Sequence, residues 1–151
     1  MQLRTLSLIV GLAVTPTLAA ETPRSAIFLH PDGMGANTWN ALRMQRVGPD
    51  GRLAWDRLPR VAIYVAPTHD SVNQSSNAGA TTHAYGVRAD LDSYGLVGGQ
   101  PPTAASGSRL SLFKEAQAAG KRVAIINSAS VTEPGTGAFL AQVADRDDEC
   151  E

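Results

Sequence analysis

Two adjacent hydroxyl groups, those of Ser75 and Ser76, precede a run of small residues that reads Asn-Ala-Gly-Ala-Thr-Thr-His-Ala-Tyr. This pattern predicts a helix over Asn77–Tyr85 that stops at Gly86. A hydroxyl at a helix N-terminus lies among free N–H groups in a positive field, where an anion binds and an alkoxide is stabilised. The pattern is also compatible with a serine that only caps the helix, so the residues alone leave both interpretations open.

A carboxylate, Asp32, follows a short apolar run and is itself followed by Gly33-Met34-Gly35. An acid at the end of a strand is exposed, and glycines beside it let a ligand approach the backbone closely. A carboxylate oxygen is a donor suited to Mg²⁺ and to Zn²⁺. Asp-Gly is also a common turn sequence, so this motif alone does not establish a metal ligand.

The elements that must position these groups alternate along the chain. Short apolar segments predict strands over Ser25–His30, Arg60–Ala66 and Val123–Asn127. Helical patterns fall between and after them, over residues 37–47, 77–85, 110–119 and 136–144, with Gly120 as a C-cap. Apolar strands alternating with helices favour an α/β fold with a parallel sheet. Ligands in such folds bind at the carboxyl ends of strands, so the loops Pro31–Gly35, Gln74–Thr82 and Ser128–Thr136 are the expected site.

Together the motifs resemble those of the alkaline phosphatase family. Pro31-Asp32-Gly33-Met34-Gly35 is similar to the family's Gly-Asp-Gly-Met-Gly, and the stretch from Ser75 to Thr81 is similar to its Asp-Ser-Ala, small residues and Thr. The second motif closes on Gly86-Val87-Arg88 where the family has Gly-Val-Lys. The spacing of about 44 residues between the motifs also fits the family, and the resemblance extends from Ser25 to the end.

The gapless register of this resemblance implies that Ser76 is the nucleophile, with Ser75 as the alternative. Ser75 stands where the family has an acid that is associated with orienting the substrate-binding arginine. Asn77 stands where the family has a small apolar residue. The side chain that orients the substrate-binding arginine in the family is therefore expected to be absent from this position in this chain.

The resemblance extends to a third segment, Thr132–Arg146. By alignment on Phe139, Glu133 falls where the family has His or Asp, and Thr136 lies one place from the family's magnesium-binding threonine. The resemblance implies that both are Mg²⁺-site ligands, although an acid in the first turn of a helix is a common structural feature as well. Arg146 corresponds to the arginine that grips phosphate oxygens, a role that suits the guanidinium fork. Without the family, Arg146 is one cation in a charged surface run.

The three histidines form no ligand pair at helical or strand spacing. We therefore interpret them as structural or surface residues: His30, His69 and His83.

The resemblance implies a phosphate-monoester hydrolase that acts through a metal-activated Ser76 and a phosphoserine intermediate. It also implies a three-layer α/β sandwich with a mostly parallel central sheet. The implied cofactors are two Zn²⁺ ions and one Mg²⁺ ion, the implied substrates are small phosphate monoesters, and a homodimer is a possible assembly. The metal ligands that the resemblance implies in this chain are Asp32, Ser76, Glu133 and Thr136. The substrate-binding residue that it implies is Arg146. The remaining zinc ligands of the family lie beyond residue 151, so the chain alone is expected to be inactive.

The ends of the chain carry further predictions. Residues 1–20 hold one cation, Arg4, then an apolar run and small residues, a pattern that predicts a signal peptide and a periplasmic or secreted protein. That run falls short of the roughly 18–20 apolar residues that a membrane span needs. We expect residues 21–151 to be the N-terminal part of a catalytic domain that is truncated at Glu151, with the lone Cys150 beside that end.

Composition excludes some classes of partner, while two other functions stay open. A net charge of -1 and 5% aromatic residues argue against binding to nucleic acid or to an anionic membrane. The alternatives are a related exported phosphodiesterase or sulfatase, and an exported binding protein without catalytic activity. The Ala/Gly-rich run and Gly86-Val87-Arg88 favour the monoesterase.

Overall fold

The structure is a computed structural model that describes residues 25–65 and 67–147. The predicted signal peptide, Ala66 and Cys150 lie outside the described residues. In the described part of the chain there are four α-helices and one turn of 3-10 helix. In chain order these are α1 Ala36–Val47, the 3-10 turn Ala54–Arg57, α2 Ser76–Tyr85, α3 Leu112–Ala118 and α4 Pro134–Gly137.

The first three α-helices confirm the helical patterns of the sequence, and their ends follow ordinary capping chemistry. Ser75 and Ser111 are the N-caps of α2 and α3, and each hydroxyl oxygen accepts a hydrogen bond from a backbone N–H three residues on. Gly86 ends α2 in the left-handed conformation at φ 69°, and its N–H donates to the carbonyl of Thr82 at 2.8 Å. A glycine adopts this conformation without the steric cost of a Cβ atom.

The fourth helix differs from its prediction. The sequence pattern predicts a helix over Thr136–Ala144, whereas α4 is a single turn that begins at Pro134 and ends at Gly137. Proline suits the first position of a helix because it has no N–H to leave unpaired. After α4 the chain turns away, and Val143 forms an isolated antiparallel bridge with Tyr94 instead of a further helical turn.

No strand is assigned in residues 25–65 and 67–147, which hold only two isolated β-bridges, Tyr94–Val143 and Val97–Gln100. In the described residues the three segments predicted as strands run as irregular chain, and most of their large apolar side chains face solvent. The exposed fraction is 85% for Ile27, 91% for Val61 and 93% for Ile126. Because a strand is defined by hydrogen bonds to a neighbouring strand, the predicted parallel sheet stays a prediction.

The buried core lies around α2. One group of buried apolar residues joins Ala80 of α2 to Tyr94, Ala138 and Val143. A second joins Ala84 and Tyr85 to Ala104 and Phe139, with Val87 and Phe113 packed against it. Helix α2 thus contacts both α3 and α4, and it is the element against which the candidate site is built.

Helix α1 stands apart from this core and has no buried residue. It packs on the 3-10 turn through Trp39 and Trp55, whose rings meet edge to face at 4.5 Å. The Arg43 guanidinium also pairs with the Asp56 carboxylate. Hydrogen bonds from Arg43 and from the Leu53 N–H lower the pKa of Asp56.

No helix in the described residues is long and apolar enough to cross a membrane.

Candidate active site

The N-terminus of α2 gives its two adjacent serines different roles. Ser75 precedes the helix in extended conformation, and its Oγ accepts from the Ala78 N–H at 3.1 Å and donates to the carbonyl of Leu91. Ser76 is the first residue of the helix, half-buried, and its hydroxyl has no hydrogen-bond partner among the described residues. The capping function that the sequence left open between the two therefore belongs to Ser75.

The loop 91–95 lies along α2 and fixes its N-terminal half. Thr81, fully buried, donates its hydroxyl to the carbonyl of Ser93 at 2.9 Å and accepts from the N–H of Gly95 at 2.8 Å. Asn77, also buried, donates its side-chain amide to the carbonyl of Asp92 at 3.4 Å. Together with the Ser75 bond to Leu91, these contacts hold the helix end in one position.

The substitution Thr81→Val tests this attachment. It removes both hydrogen bonds and leaves the half-buried Ser93 carbonyl and the buried Gly95 N–H without these partners, so we expect the free energy of unfolding to fall by about 1–3 kcal/mol. The measurement is urea unfolding of the chain followed by circular dichroism. Thr38→Val on the exposed surface of α1 is the matched control, expected to change the same quantity by less than about 0.5 kcal/mol. Equal losses in the two variants would contradict the role assigned to Thr81.

Three of the predicted metal ligands line one cavity of about 530 Å³: Asp32, Glu133 and Thr136. Asp32 is exposed in a turn that is closed by the Met34 N–H donating to the Pro31 carbonyl at 3.3 Å. Gly33 in this turn has φ 69°, a left-handed conformation that favours glycine. The turn therefore presents the carboxylate at the cavity with room beside its backbone.

The other two oxygen donors of the cavity already have partners within the protein. The Thr136 hydroxyl accepts from the Asn127 amide at 3.0 Å and lies 3.0 Å from the carbonyls of both Val131 and Glu133, to one of which it donates. The Glu133 carboxylate precedes α4 without capping it. It accepts instead from the Arg146 guanidinium at 2.6 Å.

The ion pair between Glu133 and Arg146 joins the predicted metal ligand to the predicted phosphate-binding residue. The side chains are 44% and 41% exposed, and Asp147 lies 3.9 Å from the same guanidinium. Exposed pairs of this kind contribute about 0–1 kcal/mol to stability. The pair is therefore weak enough for an incoming phosphate to replace the carboxylate.

The oxygen donors fit a hard cation in kind, because Mg²⁺ takes carboxylate and hydroxyl oxygens together with water. In the described residues, however, no group of three or more His, Cys, Asp or Glu side chains is arranged to hold a metal ion. Ser76 and Arg146 are not among the residues that line the cavity. The structure thus places Asp32, Glu133 and Thr136 on one cavity. Arg146 is connected to this group by its ion pair with Glu133, and Ser76 lies outside it.

Two histidines that the sequence analysis interpreted as structural or surface residues lie beside these groups. His30 lines the same cavity, and its ring meets the His83 ring edge to face with the centroids 5.0 Å apart. The Nδ1 atoms of both rings are buried without a hydrogen-bond partner. Burial, and then the nearby His30, lower the pKa of His83. The third histidine, His69, is exposed and lies 3.2 Å from the Asp90 carboxylate.

Aromatic rings surround this histidine pair. Phe28 contacts His30, His83 and Phe139 at centroid distances of 6.0, 5.4 and 5.5 Å. Tyr64 contacts His83 at 5.0 Å. The pair therefore lies among aromatic rings, and of its two members His30 lines the cavity.

A sequence signal for this pair existed. His83 follows Ser76 by seven residues, a spacing that places two side chains on one face of a helix, and His30 precedes Asp32 by two, which places them on one face of a strand. These spacings relate each histidine to a predicted site residue, whereas the contact between the two histidines joins distant segments.

The family model described as Alkaline phosphatase matches residues 24–151. The chain belongs to the alkaline phosphatase family. Similar proteins include the alkaline phosphatase of Gadus morhua, 29% identical over 143 residues, which cover 87% of this chain and 30% of that protein. The tissue-nonspecific isozymes of Mus musculus and Gallus gallus are 28% and 29% identical over 142 residues, covering 86% of this chain and 27% of each relative.

The chain spans less than a third of the length of these alkaline phosphatases. No solved structure matches it significantly. The match to the family model begins at residue 24 and so includes all the motifs on which the resemblance was based, from Asp32 to Arg146.

Proposed function

We propose that this chain carries the nucleophile and part of the metal and phosphate sites of a phosphate-monoester hydrolase. The observation that carries the proposal is the division of roles at the start of α2. Ser75 uses its hydroxyl for capping and for the Leu91 carbonyl, while Ser76 keeps its own hydroxyl without a partner among the described residues. A hydroxyl that is held rigidly and is not used structurally is what a nucleophile requires.

The proposed reaction has two steps at one oxygen. The Ser76 hydroxyl loses its proton as its Oγ attacks the phosphorus atom of a monoester. The Oγ–P bond forms, the bond from phosphorus to the ester oxygen breaks, and that oxygen takes up a proton and leaves as an alcohol. Water then attacks the phosphoserine, yielding inorganic phosphate and restoring the Ser76 hydroxyl. The free N–H groups at the N-terminus of α2 lie where negative charge develops on the phosphoryl oxygens, and they stabilise it.

The metals implied by family membership, two Zn²⁺ and one Mg²⁺, are part of the proposal. Asp32, Glu133 and Thr136 would contribute oxygen ligands to Mg²⁺. Asp32 would also bind zinc, and Ser76 would be a ligand of zinc. Metal ions supply charge neutralisation and a lower pKa for a bound hydroxyl when present. What the chain itself provides is the fixed position of Ser76 and an exposed Asp32 carboxylate in the cavity.

Arg146 is proposed to hold the non-bridging phosphate oxygens. In the Arg146→Ala variant of the protein expressed from its complete gene, we expect kcat/KM for p-nitrophenyl phosphate to fall by about 10- to 100-fold, which corresponds to the loss of hydrogen bonds to a charged group. Arg109→Ala, which removes an exposed arginine that has no ion pair in the described residues, is the control. An unchanged kcat/KM in Arg146→Ala would refute the assignment.

The 151-residue chain alone is proposed to be inactive and to bind zinc poorly, because in the described residues no group of three or more His, Cys, Asp or Glu side chains is arranged to hold a metal ion. The test is p-nitrophenyl phosphate hydrolysis by the purified chain with zinc and magnesium, where clear turnover would refute this. Export by the predicted signal peptide and assembly as a homodimer belong to the same proposal.

A further inference from the structure

We propose that His30 and His83 together bind one transition-metal ion of the zinc type, at a position separate from Asp32 and Ser76. Neither histidine was assigned a role in the proposed hydrolysis, and this inference does not depend on that function. It rests on the unpaired ring nitrogens, the distance and angle between the rings, and the space beside them.

The unpaired nitrogens are the first argument. The Nδ1 atoms of His30 and His83 are both buried and without a hydrogen-bond partner. A buried polar atom without a partner is uncommon in native proteins and is often explained by a bound water or ion. Both of these nitrogens belong to rings that are in contact with each other.

The ring geometry is the second argument. Two imidazoles that bind one tetrahedral zinc ion, each with a Zn–N bond of about 2.0–2.1 Å, have ring centroids about 5 Å apart. The centroids of His30 and His83 are 5.0 Å apart, and the ring planes are inclined by 87°. The pair is thus spaced as two ligands of one ion would be.

The space beside His30 is the third argument. A Cβ atom built on Gly135 would lie 3.2 Å from the His30 Nδ1, and glycine leaves that position unfilled. The cavity that His30 lines gives access from outside.

No third His, Cys, Asp or Glu completes a cluster with this pair in the described residues. The ion would therefore keep positions open to water, and we expect it to exchange and to be removed by a chelator. The aromatic rings of Phe28 and Tyr64 beside the pair limit the movement of the two ligands.

The experiment is a titration of the chelator-treated 151-residue chain with zinc chloride, followed by calorimetry. We expect His30→Gln and His83→Gln each to weaken zinc binding at least tenfold. His69→Gln, which removes the exposed third histidine, should leave it unchanged. A loss in Asp32→Asn equal to that in His83→Gln would overturn the proposal and assign the ion to the proposed hydrolase site.

A second measurement needs no variant and so is independent of folding defects. In proton NMR of the wild-type chain, zinc chloride should shift or broaden the ring resonances of two histidines and leave those of the third, His69, in place. If the resonances of His30 and His83 do not respond, a water molecule satisfies the two nitrogens and the proposal is wrong.

Discussion

Ser76→Ala is expected to reduce turnover of p-nitrophenyl phosphate by at least about 1,000-fold in the protein expressed from its complete gene, since it removes the atom that forms the covalent bond. The same variant should give no phosphoserine when the enzyme is acid-quenched after exposure to inorganic phosphate and the peptide containing residue 76 is analysed by mass spectrometry. Helix α2 should stay intact, because Ser76 has no hydrogen bond that the substitution breaks among the described residues.

Ser75→Ala is the matched comparison, because it removes a hydroxyl one residue away. It should lower stability and leave the nucleophile in place. The cap to Ala78 and the bond to Leu91 are lost, so the free energy of unfolding should fall by about 0.5–2 kcal/mol, while Ser76 is still phosphorylated. Phosphate found on residue 75 in the wild type, or retained turnover in Ser76→Ala, would show that Ser75 and not Ser76 is the nucleophile. Absence of phosphoserine in an otherwise folded wild type would instead favour a binding protein.

Gly137→Ala is expected to have the largest effect on stability. A Cβ atom there would lie 1.7 Å from the Tyr94 hydroxyl oxygen and 3.0 Å from the carbonyl of Thr132. These are the two groups that the Tyr94 hydrogen bond joins. Because Tyr94 is 3% exposed and cannot move aside freely, the variant must break that bond and shift α4, at a cost of about 2–4 kcal/mol.

The control for this prediction is Gly79→Ala in α2. Its new Cβ atom would lie 4.0 Å from the Gln74 side chain, an ordinary contact, and alanine favours a helix interior over glycine by about 1 kcal/mol. We therefore expect urea midpoints to move in opposite directions, down for Gly137→Ala and up for Gly79→Ala. A urea midpoint that falls only slightly or rises in Gly137→Ala would show that α4 shifts at little cost. In that case α4 would not hold Glu133 and Thr136 in fixed positions.

The sequence predicted the helices that depend on local signals. Serine caps, alanine-rich interiors and a terminal glycine act over a few residues, and α2 and α3 lie where those signals place them. The helix predicted over Thr136–Ala144, after Pro134-Gly135, is wrong in its bounds, because Phe139 and Val143 are buried by contacts with Phe113 and Tyr94 and not by a helical face. Such contacts between distant segments leave no periodic pattern in the sequence.

The candidate site was predictable to a similar degree. Family motifs identified Asp32, Glu133 and Thr136, which the structure places on one cavity. The motifs could not indicate that Glu133 would pair with Arg146, because that pair depends on the path of the chain after α4. The predicted strands are a different case. Their apolar side chains, such as Ile27 and Val61, require neighbouring segments to cover them, and the chain spans less than a third of its relatives.

The Glu133–Arg146 contact has a thermodynamic consequence for the proposed site. A phosphate that takes the guanidinium displaces the Glu133 carboxylate, which then becomes available to a cation in the cavity. By reciprocity, a cation that draws Glu133 away leaves Arg146 open to phosphate. The anion and the cation would thus strengthen each other's binding by the same factor, because the Glu133 carboxylate changes its partner from Arg146 to the cation.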